Sequence, residues 1–96
     1  MKKFLFCVYD SAAGAYLDPF VAPTVEYAIR SFRQAVNREG SQFGEYPQDY
    51  TLFSIGGFDG ETGNLISQNP VSLGVAITFV DQQVSQLNLG EAENGQ

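Results

Sequence analysis

The sequence has no His and no Trp, and it holds one Cys. A single Cys cannot close an internal disulfide. Without His, and with one thiol, the usual zinc ligand sets cannot be assembled. Ser-His-Asp and Cys-His nucleophilic catalysis are excluded on the same ground. No apolar run approaches the length of a membrane-crossing helix. The opening Met1-Lys2-Lys3 is basic, but the apolar run that follows, Phe4 to Tyr9, stops after six residues. A secretory leader needs a longer apolar stretch and a small-residue cleavage site. The expectation is a soluble cytoplasmic protein with no membrane association, no metal and no cofactor.

Basic residues are missing from more than half of the chain. Residues 39–96 carry eight acids and no Lys or Arg, a balance of −8. The first 38 carry Lys2, Lys3, Arg30, Arg33 and Arg38 against Asp10, Asp18 and Glu26, a balance of +2, and the two sum to −6. An acidic chain does not attract polyphosphate by bulk charge, because that attraction scales with the cations set on phosphates. Any nucleic-acid contact must be local and built from those five cations. The competing interpretation is ordinary solubilising charge on a solvated helix face.

Ninety-six residues fit one domain. Lys3 to Tyr9 is aromatic and β-branched and predicts a strand. Asp10-Ser11-Ala12-Ala13-Gly14 is a turn, and Ala15 to Val21 predicts a second strand, irregular at Pro19. Val25, Ala28, Ile29, Phe32, Ala35 and Val36 fall on one helical face. With Thr24 as N-cap and Gly40 as stop, a helix is expected over 24–38. Arg30 and Arg33, three residues apart, are neighbours on its outer side. Ser41 to Asp49 is expected as a loop and Tyr50 to Phe58 as a third strand. After a turn, Asn64 to Ser67 predicts a short fourth strand, broken at Pro70. Val71 to Val80 suits a strand or a short helix. From Asp81 the composition turns polar, so the domain is expected over 1–80, with a disordered acidic tail over 81–96. The fold class expected is α+β: an antiparallel sheet from two hairpins joined by one helix, in the order ββαββ.

Two turns share a pattern. Tyr9-Asp10 with Gly14 is matched by Phe58-Asp59 with Gly63. In each, the Asp carboxylate can accept turn N–H groups while Gly takes the left-handed conformation. Turn chemistry accounts for both aspartates without a metal or an acid pair. Gly56-Gly57-Phe58-Asp59-Gly60 lacks the Lys-Ser/Thr of a phosphate-binding loop. Cys7 lies in an apolar strand with no activating base and is expected in the core. Tyr16, Tyr27, Tyr46 and Tyr50 can anchor a partner or bridge core and water.

The first strand is apolar on both sides: Phe4, Phe6 and Val8 against Leu5, Cys7 and Tyr9. The third alternates likewise, Leu52 and Phe58 against Phe53 and Ile55. One helix covers one sheet face, so something else must cover the other: segment 71–80, a second copy, or a ligand. Aromatic sheet faces also stack single-stranded bases. A homodimer is the expected assembly.

The order of motifs resembles the small nonstructural protein of gokushovirus-type microviruses, phages with single-stranded circular DNA. The resemblance is carried by Tyr9-Asp10-Ser11 with Gly14, Pro19-Phe20-Val21-Ala22-Pro23, Phe32, and Val36-Asn37. It continues through Pro47, Asp49-Tyr50, Leu52-Phe53, Ile55-Gly56 and Phe58-Asp59 to Thr62-Gly63, spanning roughly residues 3 to 75. It implies a non-enzymatic accessory protein in the host cytoplasm, acting in synthesis or packaging of single-stranded genomes. It also implies single-stranded DNA and a replication or capsid-assembly protein as partners. It brings no catalytic residues. The alternative is a protein–protein interaction module, an assembly factor or host-directed adaptor with no DNA contact.

Overall fold

The computed structural model describes residues 1–81. In chain order these form β1 (Lys2–Asp10), β2 (Ala15–Tyr16), β3 (Phe20–Ala22), α1 (Val25–Asn37), α2 (Gln42–Glu45), β4 (Tyr50–Asp59) and β5 (Leu65–Val75), then a 3-10 turn over Ala76–Phe79. The strands make one antiparallel sheet. β1 and β4 run side by side at its centre, β5 lies outside β4, and β2 and β3 share the outer edge of β1.

The class is α+β, as expected, but the ββαββ order is not what forms. The second expected strand splits in two. Pro19, which has no N–H to donate, falls between β2 and β3, and each piece pairs separately with β1. Nor are there two independent hairpins: β1 pairs along its whole length with β4, from Lys2 opposite Asp59 to Asp10 opposite Tyr50. β5 runs through Pro70 instead of stopping before it. An edge strand tolerates proline, and here residues 68–70 face the single residue 55 in an irregular stretch, where the ladder is already broken. Segment 71–80 is both alternatives in turn, strand to Val75 and then 3-10. The expected loop 41–49 contains α2, capped by Ser41, whose hydroxyl accepts the Phe43 N–H at 3.1 Å. The polar stretch beyond Asp81 lies outside the described residues.

Helix α1 forms where its pattern predicts. The Thr24 hydroxyl accepts the Tyr27 N–H at 3.0 Å, a cap that contributes about 1 kcal/mol. Its buried residues Ala28, Phe32 and Val36 meet Phe6, Val8, Ala22, Tyr50 and Leu52 of the sheet. Ala76 and Phe79 close this core from the 3-10 turn, and Phe43 of α2 packs its ring on Phe32 and Tyr50 at 5.6 and 4.9 Å. The two matched turns have the expected chemistry. Asp10 Oδ1 accepts the N–H groups of Ala12 and Ala13 at 3.0 and 3.2 Å, and Asp59 Oδ1 accepts that of Glu61 at 2.9 Å. Gly14 and Gly63 close them at φ of 69° and 79°.

One polar side chain fastens the 3-10 turn to the helix. Asn37 donates from Nδ2 to the carbonyls of Arg33 and Phe79, both at 2.9 Å. Its Oδ1 accepts the Asp81 N–H at 2.8 Å. Asn37→Ala removes all three bonds and strands a half-buried carbonyl. The expected loss is about 1–3 kcal/mol, read as a melting point lower by about 4–8 °C per kcal/mol in a domain of this size. An unchanged melting point would show that the 3-10 turn is held by Phe79 packing alone.

Candidate functional site

The two sheet faces differ because β4 carries one extra residue. Phe6 stands opposite Ser54, but Leu5 stands opposite Gly56, so Ile55 is inserted between two consecutive partners. A bulge of this kind reverses side-chain alternation beyond it. Phe58 was expected on the side of Leu52; it lies instead opposite Lys3 and Leu65, on the side of Phe53. Gly56 is needed at the bulge. A Cβ there would collide with the Ile66 carbonyl of β5.

The face turned away from α1, called the outer face below, therefore gathers Lys3, Leu5, Cys7 and Tyr9 from β1 and Phe53 and Phe58 from β4, with Tyr16 of β2 beside Tyr9. Tyr9, Tyr16 and Phe53 form one ring cluster, with centroids 4.8 Å apart for Tyr9–Tyr16, 5.6 Å for Tyr16–Phe53 and 6.5 Å for Tyr9–Phe53. Tyr16 keeps 48% of its surface exposed. Next to the cluster is an apolar depression of roughly 240 Å³, lined by Cys7, Tyr16, Leu17, Pro19, Ile55 and Pro70. Segment 71–80 does not cover this face, since its buried residues Ala76 and Phe79 join the α1 core. Cys7 lies at the floor, buried, and burial pushes its thiol up. That shift disfavours the thiolate, the nucleophilic form. Burial also pushes the Tyr50 phenol up, with the Asp10 and Asp49 carboxylates adding to the effect.

The five expected cations are not brought together. Lys2 and Lys3 open β1, one on each side of the sheet. Arg30, Arg33 and Arg38 stand exposed on or just after α1, in the layer behind the other face. Arg33 sits over the Phe79 ring, 5.1 Å from its centroid, and Arg38 follows the last helical turn. From Lys3 to Asp10 along β1 is about 23 Å at the rise of an extended strand. The lysines and the end of α1 thus occupy opposite ends of the domain. Lys2 is cross-strand to Asp59.

Among the described residues, the ion pairs are those of the Met1 ammonium with Asp59 and Glu61, at 4.0 and 3.5 Å. Among these residues no Lys or Arg side chain joins a carboxylate within that reach. No group of three or more metal-ligating side chains is present among the described residues. The aromatic cluster was half legible, since the alternation sets Tyr9 opposite the side of Phe6 and Val8, and Phe53 opposite the side of Leu52. Nothing in the sequence marked Phe58 for the same face, because the bulge leaves no signature stronger than Gly56-Gly57.

The family model described as Phage ORF5 protein matches residues 3–79. No curated protein and no solved structure matches the chain.

The Asp59 turn gives a pH prediction. The Glu61 N–H holds the Asp59 carboxyl below the ordinary aspartate value of 3.8, against the opposing effect of burial; Thr62 and the Lys2 charge add to the lowering. The folded state thus binds the proton less readily than the unfolded one. The stabilisation from Asp59 is complete above the ordinary value and is lost as pH falls through the lower folded value. Carboxyl NMR titration should place Asp59 below free aspartate, and Asp59→Asn should shrink the difference in melting point between pH 7 and pH 3. An Asp59 titrating at the ordinary value would contradict the turn geometry.

Proposed function

Because the chain belongs to the Phage ORF5 protein family, we propose that it is a non-enzymatic phage accessory protein that engages single-stranded DNA during genome synthesis or packaging. The sequence resemblance supports a microvirus of the gokushovirus type as its source and a role in the host cytoplasm beside a replication or assembly protein. The observation that carries DNA contact is the state of the cations. In a chain with eleven acids and five bases, none of the described Lys or Arg side chains is neutralised by an ion pair among the described residues. They remain available to phosphate. The non-enzymatic part is supported by what happens to the reactive groups. Cys7 is buried, and the Asp10 and Asp59 carboxylates are occupied by turn N–H groups.

A second interpretation, a protein-interaction module with no DNA contact, is favoured by one observation, the net charge of −6. That charge repels polyphosphate everywhere except close to the cations.

A salt titration of labelled oligothymidylate separates the two. Each phosphate neutralised on a single strand contributes about −0.7 to the slope of log K against log salt. Five cations per chain therefore set a limit of about −3.5. Arg30→Ala with Arg33→Ala should flatten the slope by up to about 1.4, with melting checked because Arg33 packs on Phe79. Absence of binding at low salt would remove DNA contact and leave the protein-interaction module.

A further inference from the structure

We infer that the outer sheet face is a base-stacking platform for single-stranded nucleic acid, with Tyr9, Tyr16, Phe53 and Phe58 receiving bases and Lys3 holding a phosphate. This rests on the reading that the chain contacts single strands, and it assigns the contact to a surface that the five cations alone did not indicate.

Three features of the face fit this occupant. The first is charge. By register, the β1, β4 and β5 residues on this face include one base, Lys3, and no acid. Asp10 and Asp59 stand at the strand ends, with their carboxylates turned into the turns. In a protein of net charge −6 the described residues thus leave one sheet face without a carboxylate, where a polyanion meets least repulsion.

The second feature is ring placement. Tyr9, Tyr16 and Phe53 pack edge-on or tilted to one another, at interplanar angles of 59°, 72° and 88°. An edge-on contact covers one face of the receiving ring and leaves surface elsewhere on the pair, and Tyr16 stays half-exposed. Phe58 lies five residues along β4 from Phe53, on the same side through the bulge. That is about 16 Å of strand, a span that takes a few unstacked nucleotides. Every base has a π-face, so such a surface tolerates any sequence. Bases stacked in a duplex present no free face, so the platform selects single strands.

The third feature disfavours a second copy as the cover. Sheet-on-sheet packing about a two-fold axis would enclose two Lys3 ammonium groups under an apolar lid with no carboxylate to pair them, and burying an unpaired charge is costly. A strand of nucleic acid brings the missing anion itself.

The test compares two probes of equal length and charge, an oligothymidylate and an abasic deoxyribose-phosphate chain, at low salt with the full chain. Stacking predicts that the oligothymidylate binds about tenfold or more tightly, within the range of base–aromatic contacts. Tyr16→Ala and Phe58→Leu should abolish most of that difference, while Arg30→Ala with Arg33→Ala leaves it intact. Circular dichroism and melting of each variant establish that it is folded. If Phe58→Leu does not fold, Tyr16→Ala at the exposed ring and Lys3→Gln, which should flatten the salt slope by about 0.7, still decide the matter. Equal binding of the two probes would overturn the platform while leaving cation-driven DNA contact in place. Absence of binding to either would overturn both. A concentration-dependent dimer that Tyr16→Ala dissolves would assign the face to a second copy and overturn the platform as well.

Discussion

The structure depends on how β4 pairs with β1. Nine partner pairs join these strands, and one extra residue in β4 interrupts them between Ser54 and Gly56. On the near side of that interruption, Leu52 and Tyr50 look toward α1 and complete the core with Phe6 and Val8. On the far side the alternation is reversed, and Phe58 turns to the face of Phe53. An unbroken register would put Phe58 beside Phe4, Gly57 opposite Lys3, and leave the outer face with one aromatic fewer. Gly56 permits the bulge because β5 passes so close that no Cβ fits between them.

The cover on the inner face is economical. A helix of 13 residues, one turn of α2 and one 3-10 turn enclose ten buried residues. Asn37 joins the last turn of α1 to the end of the described chain, beside the packing of Phe79 on Phe32. Among the described residues nothing comparable is layered on the opposite side. There the rings of Tyr9, Tyr16 and Phe53 shelter one another and Cys7. The outcome is a sheet whose inner face is dry where α1 covers Phe6, Val8 and Leu52, with Phe4, Ile66 and Val71 exposed beyond the helix, and whose outer face carries partly buried rings around the half-exposed Tyr16.

Much of this was legible in the sequence. The helix was visible in the spacing of Val25, Ala28, Phe32 and Val36, because an amphipathic period survives any tertiary arrangement. The Asp10–Gly14 and Asp59–Gly63 turns were visible because their bonds are local. What failed were features set by partners far along the chain. β3 is three residues long and exists because β1 offers it an edge. α2 has a polar, glycine-containing sequence, tied to the rest by the Phe43 ring in the core and by Gly44, which lies close against the Val36 carbonyl of α1. β5 passes Pro70 because it lies at the edge and bulges there. Of the five cations Lys2, Arg30, Arg33 and Arg38 are exposed and Lys3 is half-buried, and their separation between the start of β1 and helix α1 follows from topology. Assembly as a homodimer was expected from the uncovered face; the anionic occupant that we infer there rests on the lone Lys3.

The account rests on Phe58 sharing the outer face, and the most direct measurement is a side-chain NOE map of that ring in the free protein. The register predicts contacts from Phe58 to Lys3 and Leu65, its partners in β1 and β5. Contacts to Lys2 and Phe4 in their place would mean that β4 runs without its extra residue, and would contradict both the register and the platform built on it.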